Sequence, residues 1–135
     1  MPKWTVEQQE AIDKENTNII VSAGAGSGKT AVLSERVIRK LEEGVDIDHL
    51  LILTFTRAAA YEMMLRIRNK IKERPKLKEQ LEKIDAAYIT TFDSFSLSLV
   101  KKYHYLLNID RDVKIGNATI LDQERRGILD RIFDA

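Results

Sequence analysis

A short glycine-rich segment carries the residues best suited to binding a phosphate. Residues 19–30 read Ile-Ile-Val-Ser-Ala-Gly-Ala-Gly-Ser-Gly-Lys-Thr. The three glycines allow the backbone to turn tightly and to aim several N–H groups into one concavity. Lys29 adds a cation for the β- and γ-phosphates of a nucleotide, and the Thr30 hydroxyl suits the ligand shell of Mg²⁺. The segment therefore predicts a nucleotide-binding loop.

The elements on either side of this loop strengthen that interpretation over a plain Gly/Ser turn. A β-prone run over residues 18–22 predicts a strand directly before the loop. An amphipathic run over residues 29–43, followed by Gly44, predicts a helix directly after it. The positive end of that helix would face the same anion as the loop.

The remaining pattern predicts an α/β fold. A continuous apolar run that ends at Thr54 predicts a strand at residues 50–54, as in a parallel strand buried on both faces, and residues 88–91 are a further short strand candidate. Because strands alternate with helices, a parallel sheet with flanking helices is expected. Ligands bind beyond the carboxyl ends of such strands, so Gly24, Thr54 and Thr91 should converge. Helices are predicted over residues 6–14, 57–74, 76–84, 94–107 and 122–133, with a polar loop at 108–119.

Composition limits the class of protein. The chain has 135 residues, 44% of them hydrophobic and 32% charged, which suits one globular domain. It has no cysteine, which excludes disulfides and cysteine-bound metal. No apolar run approaches about 18 residues and no signal peptide is visible, so we expect a cytoplasmic protein without a membrane segment. The net charge is only +1, although seven basic residues lie within residues 66–78. That run is either a solvated helix face or a DNA-facing element.

Four segments, in order, resemble the N-terminal motifs of superfamily 1 DNA helicases of the UvrD/Rep type. Trp-Thr-Val-Glu-Gln-Gln-Glu-Ala-Ile at residues 4–12 is similar to the glutamine motif, and residues 23–30 are similar to motif I, including Ala23. Thr-Phe-Thr-Arg-Ala-Ala-Ala-Tyr-Glu-Met at residues 54–63 resembles motif Ia, and Thr-Phe-Asp-Ser-Phe at residues 91–95 resembles motif Ib. Residues 117–124 look most like the AddA branch, helicase–nuclease subunits that process DNA double-strand ends.

The resemblance implies a RecA-like P-loop NTPase fold that uses ATP and Mg²⁺. Residues 1–107 would form the N-terminal part of the ATP-binding domain, and residues 108–135 would begin a helical insertion. Gln8 would recognise the adenine, besides completing a capping box with Thr5. Lys29 and Thr30 would be the catalytic residues, with Thr30 on Mg²⁺. The nucleotide-binding residues implied are Gln8, Ala23, Gly24, Ala25, Gly26, Ser27, Gly28, Lys29 and Thr30.

The same resemblance implies partners for the chain: single-stranded or duplex-end DNA, and a second helicase–nuclease subunit. The residues that would contact single-stranded DNA are Phe55, Thr56, Arg57, Thr91, Phe92 and Ser94. Core packing is the alternative role for Phe55. The sequence departs from the family at Arg57-Ala58, where Asn-Lys is usual. It also has Asp93 in place of a histidine, and an acid there would repel phosphate.

A hydrolysing site of this kind needs a pair of acids, normally Asp-Glu at the end of an apolar strand. No adjacent Asp-Glu pair occurs in the sequence. We therefore expect the N-terminal piece of a longer enzyme, with exonuclease activity possible only in that parent, and no ATP turnover by this piece. An unpaired sheet edge would favour self-association. A UvrD/Rep-type repair helicase without a nuclease, a P-loop kinase and a non-enzymatic nucleotide-binding module remain as alternatives.

Overall fold

The computed structural model describes residues 4–134, which form helices and two short strands in two compact units divided between Phe92 and Asp93. The elements, in chain order, are α1 (Val6–Asp13), α2 (Lys29–Glu42), β1 (Leu51–Thr54), α3 (Arg57–Lys72), α4 (Gln80–Lys83), β2 (Tyr88–Thr91), α5 (Phe92–Tyr103) and α6 (Ala118–Phe133). Short 3₁₀ turns occupy Ile47–His49, Pro75–Leu77, Ile84–Ala86 and His104–Leu106.

The sheet of the first unit is a parallel pair, as the alternation of strands and helices predicted. Leu51 lies opposite Tyr88, and the register continues to Thr54 opposite Thr91. The carboxyl ends of β1 and β2 therefore coincide at one edge of the sheet. This confirms a mixed α/β fold and brings the segments after the two strands together.

The core of the first unit lies where α2, α3 and the strand pair meet. Isoleucines supply most of it, because their branched side chains fill the space between helix and sheet. The most completely buried of them are Ile38, Ile47, Ile67, Ile71 and Ile84, each at most 1% exposed. This core fixes α3 against β2 and β1, and so fixes where the two strand ends lie.

The strand predicted over residues 18–22 does not form. Within the described chain, the sheet has two strands where the sequence predicted three. Ile19 is 36% exposed, Ile20 97% and Val21 50%. A strand is held by ladder hydrogen bonds to a neighbour, and no described strand pairs with this segment. Its β-prone composition alone is not enough.

The predicted helices form, with changes at their ends. The stretch 76–84 is divided into a 3₁₀ turn, α4 and a second turn. Helix α6 begins at Ala118 instead of residue 122, because the Asn117 side chain accepts a hydrogen bond from the Thr119 N–H at 2.9 Å. No helix within residues 4–134 has both the length and the apolar character that crossing a bilayer would require.

The second unit consists of most of α5 together with α6 and the loop between them. No described side chain in α5 or α6 is fully buried. Apolar side chains along α6 are exposed, among them Ile132 at 63% and Phe133 at 82%. The boundary predicted between residues 107 and 108 is a different one: it marks where a helical insertion would begin, and it stays a prediction.

Candidate functional site

The glycine-rich loop opens directly into α2 and is exposed over residues 23–27. Gly26 has φ +76° and Gly28 has φ +83°, a left-handed conformation that glycine adopts without steric cost. Gly28 is the N-cap of α2, and within residues 4–134 no side chain caps the first turn of this helix. The N–H groups of that turn, which have no partner within the helix, are therefore open to an anion.

Lys29 lies over this loop. Its ammonium donates hydrogen bonds to the carbonyl oxygens of Ala23 and Gly24, both at 2.6 Å. An ammonium has three donors, and the long side chain can turn towards a phosphate. The Thr30 side chain is exposed one residue further along α2. These residues fit a polyphosphate, and Thr30 would supply one oxygen to Mg²⁺, which takes most of its ligands from phosphates and water.

Gln8 connects α1 to the loop. Its side-chain oxygen accepts from the Thr5 N–H at 2.9 Å and the Thr5 hydroxyl accepts from the Gln8 N–H at 3.3 Å, so the predicted capping box forms. The Gln8 amide nitrogen also donates to the Ser27 carbonyl at 3.0 Å. A Cβ at Gly28 would lie 3.3 Å from that nitrogen, which together with the positive φ favours glycine there. One N–H and one lone pair of the amide remain for a base.

The docking of α1 is reinforced away from the loop. One Arg36 guanidinium nitrogen on α2 donates to the carbonyl oxygens of Ala11 at 2.7 Å and Ile12 at 3.2 Å, near the end of α1. In the first turn of α1, hydrogen bonds from the Glu7 backbone N–H, and then from the Thr5 side chain, lower the pKa of the Glu7 carboxyl. Helix α1 is thus attached to α2 at one end and to the loop at the other.

Two aromatic rings meet where the strands end. Phe55 follows β1, Phe92 follows β2, and their ring centroids lie 5.6 Å apart with an interplanar angle of 31°. Phe55 is 92% exposed and Phe92 is 50% exposed. Core packing, the alternative role for Phe55, is therefore wrong. Their pairing follows from the strand register and was not predicted from the sequence.

The neighbouring polar residues have different surroundings. Thr56 caps α3, because its hydroxyl accepts from the Ala59 N–H at 3.1 Å. Arg57 is exposed at the start of α3 and has no ion pair within residues 4–134. Thr91 is only 7% exposed, which leaves it little surface for a ligand. Ser94 belongs to the second unit, where it is half-buried on α5.

Asp93 lies in the first turn of α5 and is exposed. A carboxylate in the first turn interacts favourably with the positive end of a helix. This gives Asp93 a structural role that does not require contact with a phosphate.

The basic run at residues 66–78 is partly neutralised by acids of the same unit. Four of its seven cations form ion pairs: Arg66 with Glu62, Arg68 with Asp85, Lys70 with Glu35, and Arg74 with Glu35 and Glu42. Lys70 also lies over the Trp4 ring, 5.9 Å from its centroid. The pairs of Arg68, Lys70 and Arg74 attach the run to neighbouring elements, whereas the Arg66 pair lies within α3. This favours a structural role for these four cations.

The sequence matches the family model described as the UvrD/REP helicase N-terminal domain over residues 4–134. The chain belongs to this family. The result confirms the resemblance drawn from the four motifs, and the match covers both units.

Curated relatives of this helicase-family chain are named as ATP-dependent helicase/nuclease subunits of the AddA type. The protein of Heliobacterium modesticaldum is 46% identical over 140 residues, covering 98% of this chain and 10% of that protein. Those of Clostridium acetobutylicum and Geobacillus thermodenitrificans are each 43% identical, covering 97% and 98% of this chain and 11% of each relative. The chain thus spans about a tenth of the length of the relatives it matches. The resemblance to the AddA branch is confirmed.

Proposed function

We propose that this chain binds ATP with Mg²⁺ at residues 23–30 and single-stranded DNA beside Phe55 and Phe92. One observation carries the nucleotide part. An exposed loop with two left-handed glycines opens onto an uncapped helix, with the Lys29 ammonium bonded to its carbonyls. Such a loop has the donors and the charge that a polyphosphate requires.

The parent activity we propose is that of an ATP-dependent DNA helicase or translocase. Residues 1–107 would belong to a RecA-like ATP-binding domain, and residues 108–135 would begin a helical insertion. Closure of two such domains around ATP would move single-stranded DNA across them. In this scheme Lys29 holds the β- and γ-phosphates, Thr30 holds Mg²⁺, and Gln8 recognises the adenine edge.

Within that class we favour a helicase–nuclease subunit that works on duplex-end DNA in double-strand-break repair. The names of the relatives support this choice, since all three name both activities. A cytoplasmic location, self-association through an unpaired sheet edge and a second subunit remain parts of the proposal. We expect no ATP turnover by these 135 residues, because the sequence has no adjacent Asp-Glu pair.

The DNA part of the proposal is supported by the strand ends. Exposed aromatic faces stack on bases of any sequence, and a nearby cation attracts the backbone. Phe55 and Phe92 supply the rings, and Arg57 supplies a cation without an acidic partner in the described chain. Thr56, Thr91 and Ser94 complete the proposed contact set, with Thr91 the most buried of them.

The test is a titration of the purified chain with a fluorescent ATP analogue in the presence of Mg²⁺. We expect Lys29→Ala to weaken binding about 10- to 100-fold, because charge-assisted hydrogen bonds to the phosphates are lost. Gln8→Ala should reduce the preference for the ATP analogue over the matching GTP analogue. Lys72→Ala is the matched control, because Lys72 is an exposed lysine on α3 with no described ion pair.

Circular dichroism of each variant shows whether the fold is kept. A folded wild-type chain that does not bind the analogue, or a Lys29→Ala chain that binds it as well as Lys72→Ala does, would contradict the nucleotide site.

A further inference from the structure

Tyr61 is an exposed aromatic residue within residues 54–63, the segment that resembles motif Ia, but it is not among the DNA-contacting residues that the resemblance implies. It lies on α3, one helical turn after Arg57, and 61% of it is exposed. Its ring has neither a hydrogen bond nor an aromatic partner among residues 4–134. An exposed tyrosine with no local partner offers a flat face to a ligand.

An ion pair shows which side of α3 carries Tyr61. Seven residues are nearly two turns of an α-helix, so Tyr61 and Arg68 share one flank. Arg68 forms an ion pair with Asp85, which precedes β2. Lys70 and Arg74 instead pair with Glu35 on α2, on the other flank. Tyr61 therefore lies on the flank of α3 that is turned away from α2 and towards the turn that leads into β2.

The position of Tyr61 along α3 also places it towards the ends of the strands. In a parallel strand–helix–strand unit the helix runs opposite to the strands, so moving from Arg68 back to Tyr61 follows the direction of β2. Arg57, the first residue of α3, follows Phe55 by two residues, and Tyr61 lies four residues or roughly 6 Å further along the helix, at about 1.5 Å per residue. Tyr61 therefore lies close to the end of α3 that adjoins Phe55, and Phe55 contacts Phe92.

The charge around Tyr61 suits a polyanion. Arg57 lies on the same flank, and the first turn of α3 has no acidic residue. The nearest acid in sequence, Glu62, is paired with Arg66 at 3.0 Å. An exposed ring beside an unpaired cation is the combination that single-stranded nucleic acid binds.

We propose that Tyr61 is a third base-stacking residue, which extends the Phe55–Phe92 surface along the first turns of α3. The inference rests on the proposed function, because it assigns one more contact to the same DNA site. It predicts that DNA follows α3 away from the strand ends, with the Arg57 guanidinium on a phosphate between the rings.

The experiment measures fluorescence anisotropy of labelled oligothymidylates, from about 4 to about 16 nucleotides, on the full 135-residue chain. A strand of abasic residues with the same number of phosphates serves as the second probe. We expect Tyr61→Ala to weaken binding of the longer base-bearing strands about 5- to 20-fold and to leave the abasic strand unchanged. Tyr61→Phe should bind like the wild type, because it keeps the ring.

Tyr105→Ala is the matched control, since Tyr105 is as exposed as Tyr61 but lies in the second unit. The salt dependence gives an independent readout. Arg57→Gln should lower the slope of log K against log salt by about 0.7, whereas Tyr61→Ala should not change it.

The outcomes separate this inference from the proposal on which it rests. If the wild type binds oligothymidylate and Phe55→Ala weakens it, but Tyr61→Ala does not, the inference alone is overturned. If the folded wild type binds no oligothymidylate, the DNA part of the proposed function is overturned together with it. Equal losses on the base-bearing and abasic strands would also contradict stacking by Tyr61.

Discussion

Two β-prone apolar runs precede the two candidate sites, and they differ in what surrounds them. Residues 51–54 pair with residues 88–91, and Ile52 is 5% exposed. Residues 18–22 have no strand partner in the described chain, and Ile20 is 97% exposed. Both runs have the composition of strands. The difference therefore lies in the partner, because cross-strand contacts and burial stabilise a strand more than its own composition does.

The two candidate sites are consequently positioned by different means. The strand register places Phe55 beside Phe92, with their ring centroids 5.6 Å apart. The glycine-rich loop is held by helices instead: Gln8 of α1 binds the Ser27 carbonyl, and α2 begins at Lys29. The proposed nucleotide-binding loop is thus held by helices, with no paired strand in front of it among residues 4–134.

The largest expected effect separates the two runs directly. Ile52→Ala should lower the free energy of unfolding by about 2 to 5 kcal/mol, because it leaves a cavity under the sheet. Ile20→Ala should change it by less than about 0.5 kcal/mol, since the side chain is already in solvent. Urea denaturation of both variants, followed by circular dichroism, measures the two values. Equal losses of unfolding free energy would mean that residues 18–22 are packed in solution, and the contrast between the two runs would be wrong.

Elements with local signals were predictable from the sequence. Helix α2 has its amphipathic pattern and ends before Gly44, and α1 has the Thr5–Gln8 capping box. The strand pair was predictable because residues 51–54 and 88–91 flank a helix long enough for a parallel crossover. The strand at 18–22 was not correctly predicted, because its formation depends on hydrogen bonds to a neighbour that a local pattern does not reveal.

In the candidate sites, too, the sequence predicted the local features but not the contacts between distant residues. The loop and the strand-end residues were located by motif and spacing, but their contacts depend on the fold. The Gln8–Ser27 hydrogen bond joins residues 19 apart, and the basic run meets Glu35 across 35 residues or more. Charge patterning showed seven cations but not their partners. A run of like charges is therefore weak evidence for a nucleic-acid surface until its acids are located.

The next prediction concerns the ion pairs that join α2, which follows the glycine-rich loop, to α3, which follows Phe55. Glu35 on α2 is 12% exposed and accepts from Arg74 at 2.8 Å, and it is also paired with Lys70. Glu35→Gln should cost about 1 to 2 kcal/mol of unfolding free energy, because the partly buried Lys70 would lose its counter-charge and Arg74 would keep only Glu42. Added salt should reduce the difference.

Glu62→Gln is the matched control for Glu35→Gln. Its partner, Arg66, is four residues away on the same helix and Glu62 is 66% exposed, so we expect a loss of about 0.5 kcal/mol or less. If both variants lose the same free energy of unfolding, the pairs of Glu35 with Lys70 and Arg74 connect α2 to α3 no more strongly than a surface ion pair would.

The smallest expected effect is a pH dependence of the stability that Asp46 contributes just before β1. Lys83, and then Gln80, lower the pKa of the Asp46 carboxyl below its ordinary value of 3.8, through hydrogen bonds of 2.7 Å each. A lowered folded-state pKa stabilises the fold above pH 3.8, and this stabilisation is lost as the pH falls through the lowered value. Asp46→Asn should therefore be less stable than the wild type at neutral pH, and the two melting curves should converge on acidification.

Ile20→Asn, placed in the unpaired run, is the control for Asp46→Asn. It should show no such convergence, because residue 20 has no ionisable side chain and no ion pair to lose. A difference between Asp46→Asn and the wild type that persists at low pH would assign the loss to packing around the turn at Ile47–His49 instead of to the Lys83 ion pair. The segment before the paired run would then be stabilised by packing and not by the Lys83 ion pair.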